Sequence, residues 1–207
     1  MRTAVIGGTF DPVHLGHLHL LHSLVTLTDY QRVLVIPVAK PAHKPHEKSV
    51  SDTDRLTMLK LALDEYKILY PDNREVELLV EDIEIKRGGT SYMFDTVNEL
   101  YNSYKISGQI GIVLGDDLLP GLRRWYRFDQ LRHQVEFIVC RRTKVAPPQI
   151  LPPGVRGKFL SNPVMEDSST SVRNLIAQAN FDKEVLHSLV PNKVVEYILE
   201  NGLYRVN

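Results

Sequence analysis

Short apolar runs rich in β-branched residues alternate along this chain with longer segments of helical periodicity. Such alternation is typical of a parallel sheet whose faces are covered by helices. The predicted strands are Thr3 to Ile6, Arg32 to Val38, Val76 to Ile85, Gln109 to Leu114, Val135 to Cys140 and Lys158 to Leu160. The predicted amphipathic helices are Leu18 to Leu27, Ser51 to Tyr66 and Ser91 to Tyr104. The pattern therefore predicts an α/β fold with one parallel sheet.

Three local signals refine this prediction. Ser51 or Asp52 can cap the second helix, because either side chain accepts hydrogen bonds from the free N–H groups of a first turn. A last helix from Val194 to Leu199 is followed by Asn-Gly, which predicts a stop in the left-handed conformation. The proline-rich stretch from Thr143 to Gly157 is interpreted as a loop.

Composition excludes several classes of protein. The 25 Lys and Arg residues balance 25 Asp and Glu residues, so we expect no nucleic-acid partner and no membrane surface, and any anion site must be local. The single cysteine, Cys140, cannot form a disulfide framework or a thiolate zinc site. The first residues predict neither a signal peptide nor a membrane span. We therefore expect a cytoplasmic protein, as a monomer or a homo-oligomer.

The stretch GGTFDPVHLGHL, residues 7 to 18, joins the first strand to the first helix. A glycine turn at the start of a helix presents free N–H groups and the positive end of the helix dipole to an anion. His14 and His17 are spaced i, i+3, so both imidazoles should face the same ligand. A glycine pair alone is equally compatible with an ordinary turn, and the stretch matches neither the P-loop nor the G-x-G-x-x-G pattern. The two histidines favour a phosphate site.

This stretch closely resembles the G-x-F-x-P-x-H-x-G-H signature of the nucleotidyltransferase superfamily. The resemblance implies a Rossmann-like doubly wound sheet, one nucleotidyltransferase domain over residues 1–207, and transfer of a nucleoside monophosphate from a triphosphate. By the same resemblance His14 and His17 would be catalytic, bonding the triphosphate and its transition state. Nucleotide contacts would come from Gly7, Gly8, Thr9, Phe10 and Gly16.

A second stretch, DSSTSVR at residues 167 to 173, resembles the I-S-S-T-x-x-R signature of the same superfamily. Asp167 stands where the superfamily usually has an apolar residue. Taken alone, the stretch is compatible with an ordinary helix cap followed by a solvated arginine. Together with the first motif, it predicts that Arg173 joins the histidines as a catalytic residue on one triphosphate. Ser168, Ser169 and Thr170 would bind ATP.

Further stretches resemble one family, the bacterial nicotinate-mononucleotide adenylyltransferases. PAHK at residues 41 to 44 resembles its P-P-H-K segment, which implies a catalytic Lys44 on the triphosphate. SYMFDT at residues 91 to 96 resembles S-Y-T-x-D-T, which implies that Ser91, Tyr92 and Met93 border the pyridine ring. Met93 replaces the usual threonine, and the exchange is harmless if that position acts through its backbone amide.

The run IVLGDD at residues 112 to 117 resembles the family's I-I-G-x-D at the carboxyl end of a strand, where open α/β sheets bind ligands. Gly115 and Asp117 would therefore bind the nucleotide. Trp125, in a segment that resembles the family's K-W-Y, would stack on the pyridine ring. A lone tryptophan is also compatible with core packing. The ending V-P-x-x-V-x-x-Y-I-x-x-x-G-L-Y is similar too, so the resemblance covers nearly the whole chain.

The resemblance implies an ATP-dependent adenylyltransferase that converts nicotinate mononucleotide to deamido-NAD and pyrophosphate in NAD biosynthesis. Mg²⁺ is expected on the phosphates without protein side-chain ligands, since this ion keeps its waters. The alternatives are preference for nicotinamide mononucleotide, another substrate such as phosphopantetheine, or a regulatory nucleotide-binding module. His19, His22 and His46 invite a zinc interpretation, which their directions disfavour.

Overall fold

The computed structural model describes residues 1–42, 49–71, 75–142, 150–164 and 168–205. Its strands are β1 Thr3–Gly8, β2 Arg32–Pro37, β3 Glu77–Val80, β4 Ile110–Gly115, β5 Val135–Cys140 and β6 Gly157–Phe159. Its α-helices are α1 Leu15–Leu27, α2 Asp52–Leu69, α3 Ile83–Arg87, α4 Met93–Ser103, α5 Phe128–Gln134, α6 Ser169–Ile176, α7 Lys183–Leu189 and α8 Asn192–Glu200. A 3₁₀-helix, Asp116–Arg124, follows β4 directly.

The strands form one sheet in the order β3-β2-β1-β4-β5-β6, and neighbouring strands are parallel throughout. This is the Rossmann order, in which the chain reverses its direction of progress between β1 and β4. The predicted Rossmann-like α/β fold is therefore confirmed. Because a crevice opens where the order reverses, the carboxyl ends of β1 and β4 are where this fold binds ligands.

Apolar side chains fill both faces of the sheet. One buried cluster joins alternate β1 residues such as Ala4 to α1, α2 and the last three helices. The other joins Val5 and alternate β4 residues such as Ile112 to α4 and α5. Alternation within β1 sends neighbouring side chains to opposite faces, which explains why an apolar run without polar positions forms a strand buried on both sides. The sheet thus holds the end of β1 rigidly.

Two predicted helix signals agree with the structure. Ser51, not Asp52, is the cap of α2: its hydroxyl accepts a hydrogen bond from the Asp54 N–H at 3.1 Å. After α8, Gly202 adopts a φ of +60°, the left-handed stop that the Asn-Gly pair predicts. Of the predicted proline-rich loop, residues 143–149 lie outside the described residues, and Gly157 already belongs to β6.

The predicted strand Val76 to Ile85 is wrong in its second half. Strand β3 ends at Val80, and α3 begins at Ile83. β3 is an edge strand whose pairing with β2 covers only Glu77 to Val80, so tertiary packing decides the conformation beyond it. Helix α3 buries Glu84, whose Oε1 accepts a hydrogen bond from the Thr96 hydroxyl at 2.7 Å.

The described residues form no helix that is both long enough and apolar enough to cross a membrane.

Candidate active site

A cleft of about 580 Å³ opens at the carboxyl ends of β1 and β4. Most residues that the sequence predicts for the site line this single cleft: Gly7, Gly8, Thr9, His14, Gly16, His17, Ser91, Tyr92, Met93, Gly115, Asp117, Trp125, Ser168, Ser169, Thr170 and Arg173. Phe10 does not line it, because its side chain is buried in the core with 1% exposed. Lys44 lies outside the described residues.

The two histidines meet at the start of α1. His14 is the residue before the helix, and its ring centroid lies 3.8 Å from that of His17. The His14 N–H donates to Nδ1 of His17 at 3.2 Å, so a neutral His17 carries its proton on Nε2. The His17 ring therefore has a fixed orientation and can present an N–H donor to a ligand.

Burial holds both imidazoles in their neutral form. It lowers the pKa of His14 to about 4, with a further contribution from the positive charge of Arg142. Burial also holds the pKa of His17 well below its ordinary value, and His14 and Arg142 add to this effect. Nδ1 of His14 is buried without a hydrogen-bond partner in the described part of the chain. The free protein therefore offers neutral donors that a phosphate anion can polarise.

The glycine turn is shaped by the ring of Phe10. A Cβ on Gly8 would lie 2.9 Å from Cζ of Phe10, so a larger residue would push this ring out of its place. The same ring packs against His17, with 4.9 Å between ring centroids. Phe10 thus supports the histidine from the core side. Its predicted main-chain contact with a nucleotide stays a prediction.

The second motif is bonded directly to the first. Ser168 caps α6, accepting a hydrogen bond from the Ser171 N–H at 3.1 Å. The Ser169 hydroxyl donates to the carbonyl of Pro12 at 2.8 Å, and Nη1 of Arg173 donates to the carbonyl of Asp11 at 2.7 Å. These bonds span more than 150 residues of sequence. They place the guanidinium at the same turn as the histidines.

Arg55 is a buried residue that supports this site from outside the cleft lining, and sequence reasoning missed its role. It is 1% exposed and donates to the carbonyl of Thr9 at 2.6 Å and to that of Val38 at 2.9 Å. It also forms an ion pair with Asp52 at the start of α2. Arg55 therefore ties together the turns that follow β1 and β2. Its signal was an arginine on the apolar face of a helix, a position that normally requires buried partners.

The end of β4 brings Asp117 into the cleft beside a second missed residue, Arg142. A Cβ on Gly115 would lie 2.2 Å from Oδ1 of Asp117 and 2.4 Å from Cδ of Arg142, so a larger residue here would require both side chains to move. Nη1 of Arg142 lies 3.7 Å from Oδ2 of Asp117. The sequence signal that could have identified Arg142 is the pair of arginines directly after β5, the strand next to β4.

Another part of the cleft lining is formed by half-buried side chains of the segment before α4 and of the turn after the 3₁₀-helix. The Ser91 hydroxyl accepts a hydrogen bond from the Ala39 N–H at 3.0 Å, which anchors the segment before α4. Tyr92 packs against Tyr126, with 4.5 Å between ring centroids, and Met93 is the first residue of α4. Trp125 lines the cleft and also meets Phe137 edge-on at 6.3 Å. The two interpretations of Trp125 are therefore compatible.

No group of three or more potential metal ligands of the His, Cys, Asp or Glu type occurs within the described ranges. Nδ1 of His19 is hydrogen-bonded to the Tyr70 hydroxyl at 2.7 Å, and His22 stacks on the same tyrosine with 4.2 Å between centroids. These two histidines thus have packing partners. His46, the third of this set, lies outside the described residues.

Comparisons with known proteins identify the family of this chain. Residues 5–175 match the model of the cytidylyltransferase-like family. The chain is 31% identical over 204 residues to a protein of Borreliella burgdorferi named "Probable nicotinate-nucleotide adenylyltransferase", covering 99% of this chain and 97% of that protein. A Treponema pallidum protein of the same name is 33% identical over 219 residues, covering 99% and 100%. The chain belongs to the nicotinate-nucleotide adenylyltransferase family.

A solved structure has the same fold as this family member. Nicotinic acid mononucleotide adenylyltransferase of Plasmodium falciparum, complexed with NaAD, superposes with a TM-score of 0.74 and covers 98% of this chain and 97% of its own. Its sequence identity is 18%, so this likeness concerns the fold alone. This chain thus shares the architecture of that solved structure.

Proposed function

We propose that this protein transfers the adenylyl group of ATP to nicotinate mononucleotide, forming deamido-NAD and pyrophosphate in NAD biosynthesis. The observation that carries the proposal is that His14, His17 and Arg173 line the same cleft as Trp125 and the Ser91 segment. Groups suited to a triphosphate and groups suited to a pyridine ring therefore face one space. The name of the family supports this choice of substrate pair.

In the proposed reaction, a phosphate oxygen of the mononucleotide attacks the α-phosphorus of ATP. A new P–O bond forms, the bond from the α-phosphorus to the bridging oxygen breaks, and pyrophosphate leaves with that electron pair. No covalent enzyme intermediate is needed, so the protein has to orient the reactants and offset developing charge.

The neutral imidazoles suit this task at the α-phosphate. Nε2–H of His17 would donate to an oxygen whose negative charge grows in the transition state, and the fixed ring needs no reorganisation. Arg173, held by the Asp11 carbonyl, would offset charge on the leaving pyrophosphate together with Ser169 and Thr170. Arg142 would add a second guanidinium. Lys44 is proposed as a further cation on the triphosphate.

Adenosine would bind at the ends of β1 and β4. Gly7, Gly8, Thr9 and Gly16 would approach the nucleotide closely, as the glycines at the first turn of this fold type do. Gly115 leaves room for Asp117, whose carboxylate would accept hydrogen bonds from ribose hydroxyls. Ser168, at the cap of α6, would face the same nucleotide.

Nicotinate mononucleotide would bind at the opposite end of the cleft. Trp125 would stack on the electron-poor pyridine ring. Met93 opens α4, and the first N–H groups of a helix lack partners within it, so they can bind the pyridine carboxylate. Ser91 and Tyr92 would shape this subsite. The Met93 side chain would then be secondary to its backbone.

Magnesium fits this cleft as an ion bound to substrate. The lining residues within the described ranges include two carboxylates, Glu84 and Asp117, and several cationic or hydroxyl groups that suit phosphates. We propose that Mg²⁺ is held by phosphate oxygens and water. When bound, the ion would neutralise charge on the triphosphate.

We also propose the cytoplasm as the compartment, consistent with a single, buried thiol.

The experiment uses purified protein, ATP and Mg²⁺ with nicotinate mononucleotide, nicotinamide mononucleotide or phosphopantetheine in parallel, and measures pyrophosphate. Release with the nicotinate substrate and scarcely with the others supports the proposal. Faster pyrophosphate release with nicotinamide mononucleotide or with phosphopantetheine would show that this compound, and not nicotinate mononucleotide, is the preferred substrate. No release in any arm contradicts the enzyme, and EDTA followed by Mg²⁺ tests the metal.

A further inference from the structure

The turn between β1 and α1 contains a buried carboxylate that the proposed mechanism does not use. Asp11 is fully buried, with 0% of its surface exposed. Its Oδ1 accepts a hydrogen bond from the Tyr204 hydroxyl at 2.9 Å, and its Oδ2 accepts one from the Ser49 N–H at 2.8 Å. A buried carboxylate depends on such donors, so these bonds fix the position of the side chain.

The backbone at Asp11 and the next residue accepts hydrogen bonds from residues of the candidate active site. The Asp11 carbonyl accepts from Arg173 at 2.7 Å, and the next carbonyl, that of Pro12, accepts from Ser169 at 2.8 Å. His14 follows three residues later. Any shift of the Asp11 side chain therefore moves the peptide that positions the guanidinium and the first histidine together.

Tyr204 itself is held in an unfavourable conformation. Its φ is +65°, in the left-handed region that residues with a side chain seldom occupy. Phe10, next to Asp11, also has a positive φ, of +48°. Such conformations persist where the surrounding contacts determine them, and here both flank the same hydrogen bond. Burial and the adjacent Asp11 carboxylate raise the pKa of Tyr204, so its hydroxyl remains a donor.

We propose that Tyr204 is a positioning residue for adenylyl transfer, acting through Asp11 on the turn that holds His14 and Arg173. The inference rests on the proposed function. Tyr204 is absent from the described residues that line the cleft, so it acts without touching substrate. The turn that follows α8 is thereby part of the catalytic apparatus, although nothing in its own sequence suggests chemistry.

Tyr204→Phe tests this by removing one oxygen, with Tyr197→Phe as the matched control. Tyr197 also donates to a carboxylate, that of Asp54 at 2.8 Å, but this bond lies at the cap of α2. We expect Tyr204→Phe to lower kcat by about tenfold, because small misplacements of reacting groups are costly, with both KM values within about twofold. Tyr197→Phe should keep kcat within about twofold. Equal kcat in the two variants overturns the proposal, whatever their Tm values.

A double-mutant cycle with Asp11→Asn checks the route of action. If Tyr204 acts through Asp11, the double variant should have nearly the kcat of Asp11→Asn alone. Fully multiplicative effects contradict that route.

If the wild-type protein releases no pyrophosphate, the proposed function fails, and imidazole ¹⁵N chemical shifts of the free protein decide instead. Shifts of the His14 or His17 resonances in Tyr204→Phe, absent from Tyr197→Phe, support the positioning role. Unchanged resonances in both variants overturn it.

Discussion

Two parts of the cleft lining, named here the histidine end around His17 and the mononucleotide end around Trp125, are constructed differently. At the histidine end, Arg173 and Ser169 donate hydrogen bonds to backbone carbonyls of the turn after β1, and His17 accepts one from a backbone N–H of that turn. At the mononucleotide end, half-buried aromatic side chains such as Trp125 present ring faces and edges. The first part is fixed mainly by hydrogen bonds to charged and polar groups, whereas the second is fixed mainly by packing between rings. Changes at the first should therefore affect kcat, and changes at the second should affect KM.

The largest expected effect is that of His17→Ala. Loss of a preorganised donor should raise the activation barrier by about 2–4 kcal/mol while the KM for ATP stays nearly constant. Steady-state kinetics at saturating substrate measures this. His22→Ala is the control, because His22 lies on the same helix and packs on Tyr70. An equal loss of ATP affinity in His17→Ala would show ground-state binding and break the contrast.

The second prediction concerns the burial of His14. Its pKa of about 4 lies below the value of about 6.5 in the unfolded chain, so the unfolded state binds more protons between these values. The contribution of His14 to stability is complete above pH 6.5 and is lost as the pH falls to 4, by about 3 kcal/mol. Urea unfolding of wild type and His14→Gln over this range measures it. Parallel pH curves would mean that the histidine end is not desolvated.

Trp125→Ala should have a smaller effect at the other end. Loss of ring stacking should cost about 1–2 kcal/mol of binding, seen as a roughly tenfold higher KM for the mononucleotide. The KM for ATP should change little. Trp125→Phe keeps a ring and should retain part of the affinity. If both KM values rise together, the indole is a structural residue packed on Phe137.

Met93→Thr should have the smallest effect. If the subsite acts through the N–H groups at the start of α4, introducing the family's usual threonine leaves them in place. We expect the ratio of kcat/KM for nicotinate over nicotinamide mononucleotide to change by about twofold or less, near 0.5 kcal/mol. A tenfold change would assign substrate selection to the hydroxyl, and would make this end as precisely organised as the other.

Much of the fold followed from local sequence patterns. Buried strands such as β4 are continuous apolar runs. Ser51 begins α2 because its hydroxyl accepts a hydrogen bond from the first turn, and Gly202 follows the end of α8 because glycine readily adopts a positive φ. The error at Val76 to Ile85 arose because its alternating pattern is typical of a strand. Whether a segment with such a pattern forms a strand or a helix depends on pairing with a neighbouring strand, which is distant in sequence.

The cleft residues were predictable where they belong to compact motifs, as His14 and Ser169 do. The cleft residue Arg142 was not predictable, nor were Arg55 and Tyr204, which support the cleft from outside its lining, because each acts from another element by a long-range contact. The residues next to them in the sequence form no motif that indicates ligand binding.

The sequence by itself determined the alternation of strands and helices, the caps and the chemical groups offered to a phosphate, since these depend on residues a few positions apart. Only the tertiary structure decided that Asp11 receives Tyr204 and that Arg173 bonds to its carbonyl, across 193 and 162 positions. The physical reason is that a buried polar group must find its partner in space, and the parallel sheet brings distant loops to one edge.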